Sequence, residues 1–100
     1  MKKLTILLFI VILTAKSTNL LKQANAALKA GMYEEALEHL IIAKEKMPLN
    51  AEVYKLKALL HEALNEKNKA LNSWNKCIQH TNDKDLLDEA KININNLILE

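Results

Sequence analysis

The chain is predicted to be all-α, built as helical hairpins stacked on one another, and three observations carry the prediction. One Gly and one Pro in 100 residues are too few for a turn-rich β fold. Half of the residues are apolar, which supplies a core and argues against disorder. Displacing the chain against itself by 34 residues brings like residues into register without a gap, the mark of a repeat architecture. The length bounds all of this to one small domain.

The chain opens MKKLTILLFIVILTAKS, residues 1–17. Lys2 and Lys3 precede an apolar run of 12 residues, 4–15, that Lys16 ends. A positive start, a short apolar stretch and small residues at its exit describe a secretory signal peptide. Ala15-Lys16-Ser17 fits the small-x-small cleavage pattern and places a mature start at Thr18; cleavage after Leu13-Thr14-Ala15 would place it at Lys16. A bilayer needs about 20 apolar residues, so the run is short for a permanent anchor. A membrane anchor retained at 4–15 and a buried helix are the alternatives. No cysteine stands here for lipid attachment, and the Asn-x-Ser/Thr sequon is absent from the chain. Residues 18–100 then form the folded domain, expected in the bacterial periplasm or outside the cell.

Without Lys2, Lys3 and Lys16, 11 basic residues face 12 acidic ones. All the basic residues are Lys, whereas bidentate phosphate and guanine contacts favour Arg. A near-neutral domain without Arg argues against a nucleic-acid partner.

The first repeat covers about 17–50 and the second about 51–84. At the 34-residue offset Leu20 falls on Tyr54, Ala24 on Ala58, Gly31 on Asn65, Ala36-Leu37 on Ala70-Leu71, Leu40 on Trp74 and Ala43 on Cys77. Within the first unit Leu20, Ala24, Ala27 and Leu28 form one helical stripe, and Ala36, Leu37, Leu40 and Ala43 a second. Gly31 separates them and suits the left-handed conformation that ends a helix; Asn65 is the next best residue for that position. Pro48 stops the second helix, and Asn50 is placed to cap the next. The second unit reads as a helix at 51–64, a turn at 65–68 and a helix at 69–80. A last helix at about 85–99 puts Leu86, Leu87, Ala90, Ile94, Leu97 and Ile98 on one face, with Ile92 and Leu99 off it. It is expected to cap the stack, since each repeat of a solenoid buries its face only against neighbours.

These residues resemble the tetratricopeptide repeat family over about residues 17–84. In Gly31-Met32-Tyr33-Glu34-Glu35-Ala36-Leu37 the Gly, the Tyr and the Ala-Leu pair match the family's turn and second-helix start, and Ala43 and Pro48 match its later small residue and terminal proline. Ala24 and Ala58 stand at its small-residue position, and Ala70, Leu71 and Trp74 match the second helix of the next unit. Asn65, Lys67 and Asn82 depart from the turn glycine, turn tyrosine and final proline, and Leu20 replaces a larger aromatic. The resemblance implies a short right-handed solenoid of two repeats plus the capping helix. It also implies a binding face on the first helices: Leu21, Asn25, Leu28, Lys29, Lys55, Leu59 and Glu62. Some family members clamp a C-terminal carboxylate with Lys and Asn on that face. Here the clamp positions carry Leu21, Asn25 and Leu59, and only Asn25 matches. The mixed face suits an amphipathic helix or apolar peptide better. In so short a solenoid, some of these leucines could instead be covered by the chain's own termini.

Little points to chemistry. His39, His61 and His80 fall on three separate helices, and His61-Glu62 lacks the second His of a zinc motif. Glu34-Glu35 are adjacent, so they do not face each other on a helix, and they suit a helix N-terminus. Cys77 is the lone cysteine, which excludes an internal disulfide; it reads as a small core residue or an exposed thiol that pairs with another chain. Trp74 and Tyr54 sit at core positions. The expectation is an exported protein-binding module with no enzymatic activity, cofactor or metal, docking on an envelope partner. Self-association through the last helix, or an adaptor tethered by 4–15, are the rivals.

Overall fold

A computed structural model describes residues 19–100, and the N-terminal targeting segment read from the sequence lies outside them. The described chain is helical throughout: α1 over 19–29, α2 Tyr33–Lys46, α3 Ala51–Ala63, α4 Lys67–His80 and α5 Lys84–Leu99. No helix among these residues is long and apolar enough to cross a membrane.

The helix ends repeat at the 34-residue offset in their backbone bonds. Gly31 ends α1 at φ +76°, and Asn65 follows α3 at φ +58°, the one non-glycine with positive φ among the described residues. At the first turn Gly31 N–H donates to Leu28 O at 3.1 Å and Met32 N–H to Ala27 O at 2.8 Å. At the second, Asn65 N–H donates to Glu62 O at 3.1 Å and Glu66 N–H to His61 O at 2.8 Å. Both turns therefore close orphan helix carbonyls in the same paired way. The Asn50 and Asp83 side chains cap α3 and α5, accepting from the N–H groups of Glu52 at 2.8 Å and Asp85 at 2.9 Å. The helix expected at 69–80 begins two residues earlier, at Lys67. The Glu66 carboxylate there pairs with Lys69 at 3.0 Å and His61 at 3.3 Å. Those bonds, Lys69 first, hold its carboxyl below the usual range.

Two core clusters meet at α3. Ala24 and Ala27 of α1, Ala36 and Leu40 of α2, and Leu56 and Leu60 of α3 make one. Ala51, Tyr54 and Ala58 of α3, Ala70, Trp74 and Cys77 of α4, and Ala90 and Leu97 of α5 make the other. Burial on two sides explains why apolar residues run around most of α3 rather than along one stripe. Ala36, Ala43, Ala58, Ala70 and Ala90 are all wholly buried, because packed helix backbones leave no room for larger side chains where they approach. Tyr54 ties α3 to its neighbours: its hydroxyl donates to Pro48 O, and its ring stacks on His80 at 5.3 Å.

Two stripe assignments change. Leu37, placed with the core stripe of α2, is 41% exposed, and Ile98, placed on the inner face of α5, is 62% exposed. Each lies at the edge of its stripe. Ala36-Leu40-Ala43 fill the α2 contact, and Ala90-Leu97, with Leu86 and Ile94, fill that of α5.

Candidate functional site

Of the seven residues of the expected binding face, six are half-buried and Lys29 is exposed. Leu21, Leu28 and Leu59 come together, yet all three are half-buried and pack on the α1–α2–α3 cluster; Leu59 also touches the α3–α4–α5 cluster. The leucines expected to stand open are thus partly core, Leu59 because α3 has core on both sides. Lys55 Nζ pairs with Glu89 Oε2 of α5 at 3.2 Å, and Glu62 accepts the indole N–H of Trp74 at 2.8 Å. Asn25 is half-buried and Lys29 exposed.

Exposed apolar surface gathers elsewhere, on α2. Leu37 and Ile41, the latter 53% exposed, line a groove of about 620 Å³ with Leu40, Lys44, Glu45 and Pro48; Lys57 and His61 of α3 and Lys69 of α4 form its other wall. Its apolar floor is bordered by lysines. Burial first, then the neighbouring Lys44 and Lys76 ammoniums, hold the Lys57 amine below the usual lysine range. The Lys57 and Lys76 amines each lie 5.9 Å from the Tyr54 ring centroid, within cation–π reach. Among the described residues none of Lys44, Lys57 and Lys76 is ion-paired with a carboxylate. The groove therefore joins apolar contact area to positive charge left without a counter-ion.

The sequence does carry a sign of this groove. Leu40-Ile41-Ile42 places large apolar side chains at three successive helical positions, which span about 200° and cannot all face one core. Only Leu40 is buried; Ile41 and Ile42 are exposed.

The histidines have local roles. His39 lies 3.6 Å from Glu35 one turn earlier, His61 contacts Glu66, and His80 stacks on Tyr54. Among the described residues no group of three His, Cys, Asp or Glu side chains is placed to hold a metal ion. Cys77 is wholly buried. Burial, reinforced by the Glu52 and Glu89 carboxylates, pushes its thiol up to about 11, opposite to the activated thiolate of a nucleophile. No protein-family model, curated protein or solved structure matches the chain.

Proposed function

We propose that this chain is a non-catalytic protein-interaction module, built as two tetratricopeptide-like hairpins with a terminal helix and exported by its N-terminal segment to act on an envelope partner. The twin helix ends 34 residues apart support the repeat reading. The observation that carries the function is the α2 groove: exposed Leu37 and Ile41 beside unpaired lysines. Exposed apolar side chains rimmed by charge mark interaction surfaces rather than fold requirements. A groove of this kind takes an amphipathic helix, apolar side chains down and charges at the rim. The resemblance would have put docking on the first helices; the half-burial of Leu21, Leu28 and Leu59 favours α2 instead.

Cross-linking capture from the native envelope, with the full chain as bait, tests the proposal. Ile41→Lys should abolish the specific partner bands with the circular dichroism spectrum unchanged, since Ile41 is exposed. Leu59→Lys should instead lower the unfolding midpoint, since Leu59 packs on both clusters and a charge there loses solvation. Capture identical for wild type and Ile41→Lys would remove the groove from the function.

A further inference from the structure

Besides α2, exposed large apolar side chains also lie on α5. Ile92 is 61% and Leu99 82% exposed, and they share the outward stripe of that helix with Asp85 and Asp88, at spacings of three, four and seven residues. Helical residues so spaced lie along one face. The stripe carries carboxylates in its first turns and apolar side chains in its last ones. The exposed stripe of α2 also starts acidic, with Glu34, Glu35 and Glu38, but passes through Ile41 to a basic end at Lys44.

We infer that the α5 outer stripe of one copy docks antiparallel in the α2 groove of a second copy, with Asp85 and Asp88 at Lys44 and Lys57 and with Ile92 and Leu99 along Ile41, Leu37 and Tyr33. The inference rests on the reading of the groove as an interaction site and adds a second copy of this chain as an occupant that competes with the envelope partner. Charge sets the direction. A parallel arrangement would bring Asp85 and Asp88 against Glu34, Glu35 and Glu38, whereas the antiparallel one brings them to the lysine rim. Spacing agrees. At about 1.5 Å per residue, Ile92 and Leu99 are separated by about 10 Å along the axis, and Ile41 and Tyr33 by about 12 Å. Asp88 lies about 6 Å before Ile92, and Lys44 about 4.5 Å beyond Ile41. The sole carboxylate lining the groove, Glu45, has a counterpart in Lys91, which flanks the same α5 stripe. The acidic start of α2 also sets this surface apart from one built for an anionic membrane.

Sedimentation equilibrium of the full chain, from about 1 to 100 μM, tests the contact together with two charge reversals, Lys44→Glu and Asp88→Lys. Wild type should exceed its 11.4 kDa monomer mass in a concentration-dependent way. Each reversal alone should weaken association about tenfold, since like charges meet where opposite ones did. An equimolar mixture of the two variants should recover most of the loss, because Glu at 44 on one copy then meets Lys at 88 on the other. Cysteines placed at Ile41 and Ile92 on separate copies should cross-link. A chain that stays monomeric at 100 μM, or an association that neither reversal alters, overturns the inference. In either case the interaction-module reading stands if Ile41→Lys still abolishes envelope capture, and falls with it if capture is unchanged.

Discussion

The indole N–H of Trp74 donates to the Glu62 carboxylate at 2.8 Å. Trp74 is wholly buried at the centre of α4, and Glu62 is half-buried at the end of α3. A buried indole has one donor and no second use for it. The carboxylate therefore completes the core of the α3–α4 pair, and this position on the expected binding face is occupied from within. Glu62→Ala should cost about 1–3 kcal/mol, the range for a buried donor left without its partner. Glu62→Gln, which keeps an acceptor oxygen, should cost less. Urea unfolding followed by the fluorescence of this single tryptophan measures both; equal midpoints for wild type and Glu62→Ala would mean that solvent meets the indole as well as Glu62 does.

The two positive-φ turns predict opposite signs for two small substitutions. Gly31 has nothing within 4 Å of an added Cβ, so Gly31→Ala meets no clash and only the backbone term remains. That term, for a left-handed residue with a Cβ, is about 1 kcal/mol of destabilisation. Asn65 already bears that strain, eased by its tolerance of the left-handed region, so Asn65→Gly should stabilise by a few tenths to about 1 kcal/mol. The urea midpoints should move in opposite directions. A shift of the same sign in both would show that the turns are not equivalent.

Ala36 and Ala70, 34 residues apart, are both wholly buried. Leucine at either site adds three heavy atoms where helices touch. Overpacking of this kind costs about 1–3 kcal/mol. The effect should be of similar size at both sites, each change opposing its own cluster. A free choice of side chain at one site, read as an unchanged melting temperature, would break the 34-residue register there.

The helix ends and tight helix contacts were legible because sharp physical requirements hold their markers in place. A left-handed residue favours Gly or Asn, a close backbone approach favours small residues such as Ala or Cys, and Asn50 has the side-chain oxygen that an orphan N–H needs. Gly31, Asn65, Ala36, Ala70, Cys77 and Asn50 all stand where those requirements put them. The surface was less legible. Leu59 and Ile41 are both large and apolar, and periodicity alone does not say which has a second layer of core above it. The difference arises because α3 lies between two clusters while none of the described residues packs over the outer side of α2, a fact of tertiary packing. The early start of α4 has a similar origin. Lys67 and Asn68 are weak signals for a helix start, and the Glu66 pairs with Lys69 and His61 that accompany it reach along and across the turn.

Cys77 links the core to pH. Its thiol is wholly buried, and burial, then the Glu52 and Glu89 carboxylates, raise it from 9.0 to about 11, with Lys55 acting in the opposite sense. A raised value means that the folded state holds its proton more tightly than the unfolded chain does. Below pH 9 both states are protonated and the full stability is present. Between pH 9 and 11 the unfolded thiol ionises while the folded one resists, so stability falls as pH rises through that window. Two pH units correspond to about 2–3 kcal/mol. Lysines and tyrosines titrate nearby, so the measurement is a difference between wild type and Cys77→Ala, a change that Ala43 shows to fit at the equivalent site of the first unit. At pH 7.5 the variant should be less stable, by the packing lost with the sulfur. By pH 10.5 the gap should close or reverse, moving by about 2 kcal/mol. Native Cys77 should also resist a thiol-specific disulfide reagent at pH 8 and react once urea opens the core. A gap that stays constant across the window, or fast labelling of the native protein, would show that the thiol reaches solvent and that its burial does not govern its ionisation.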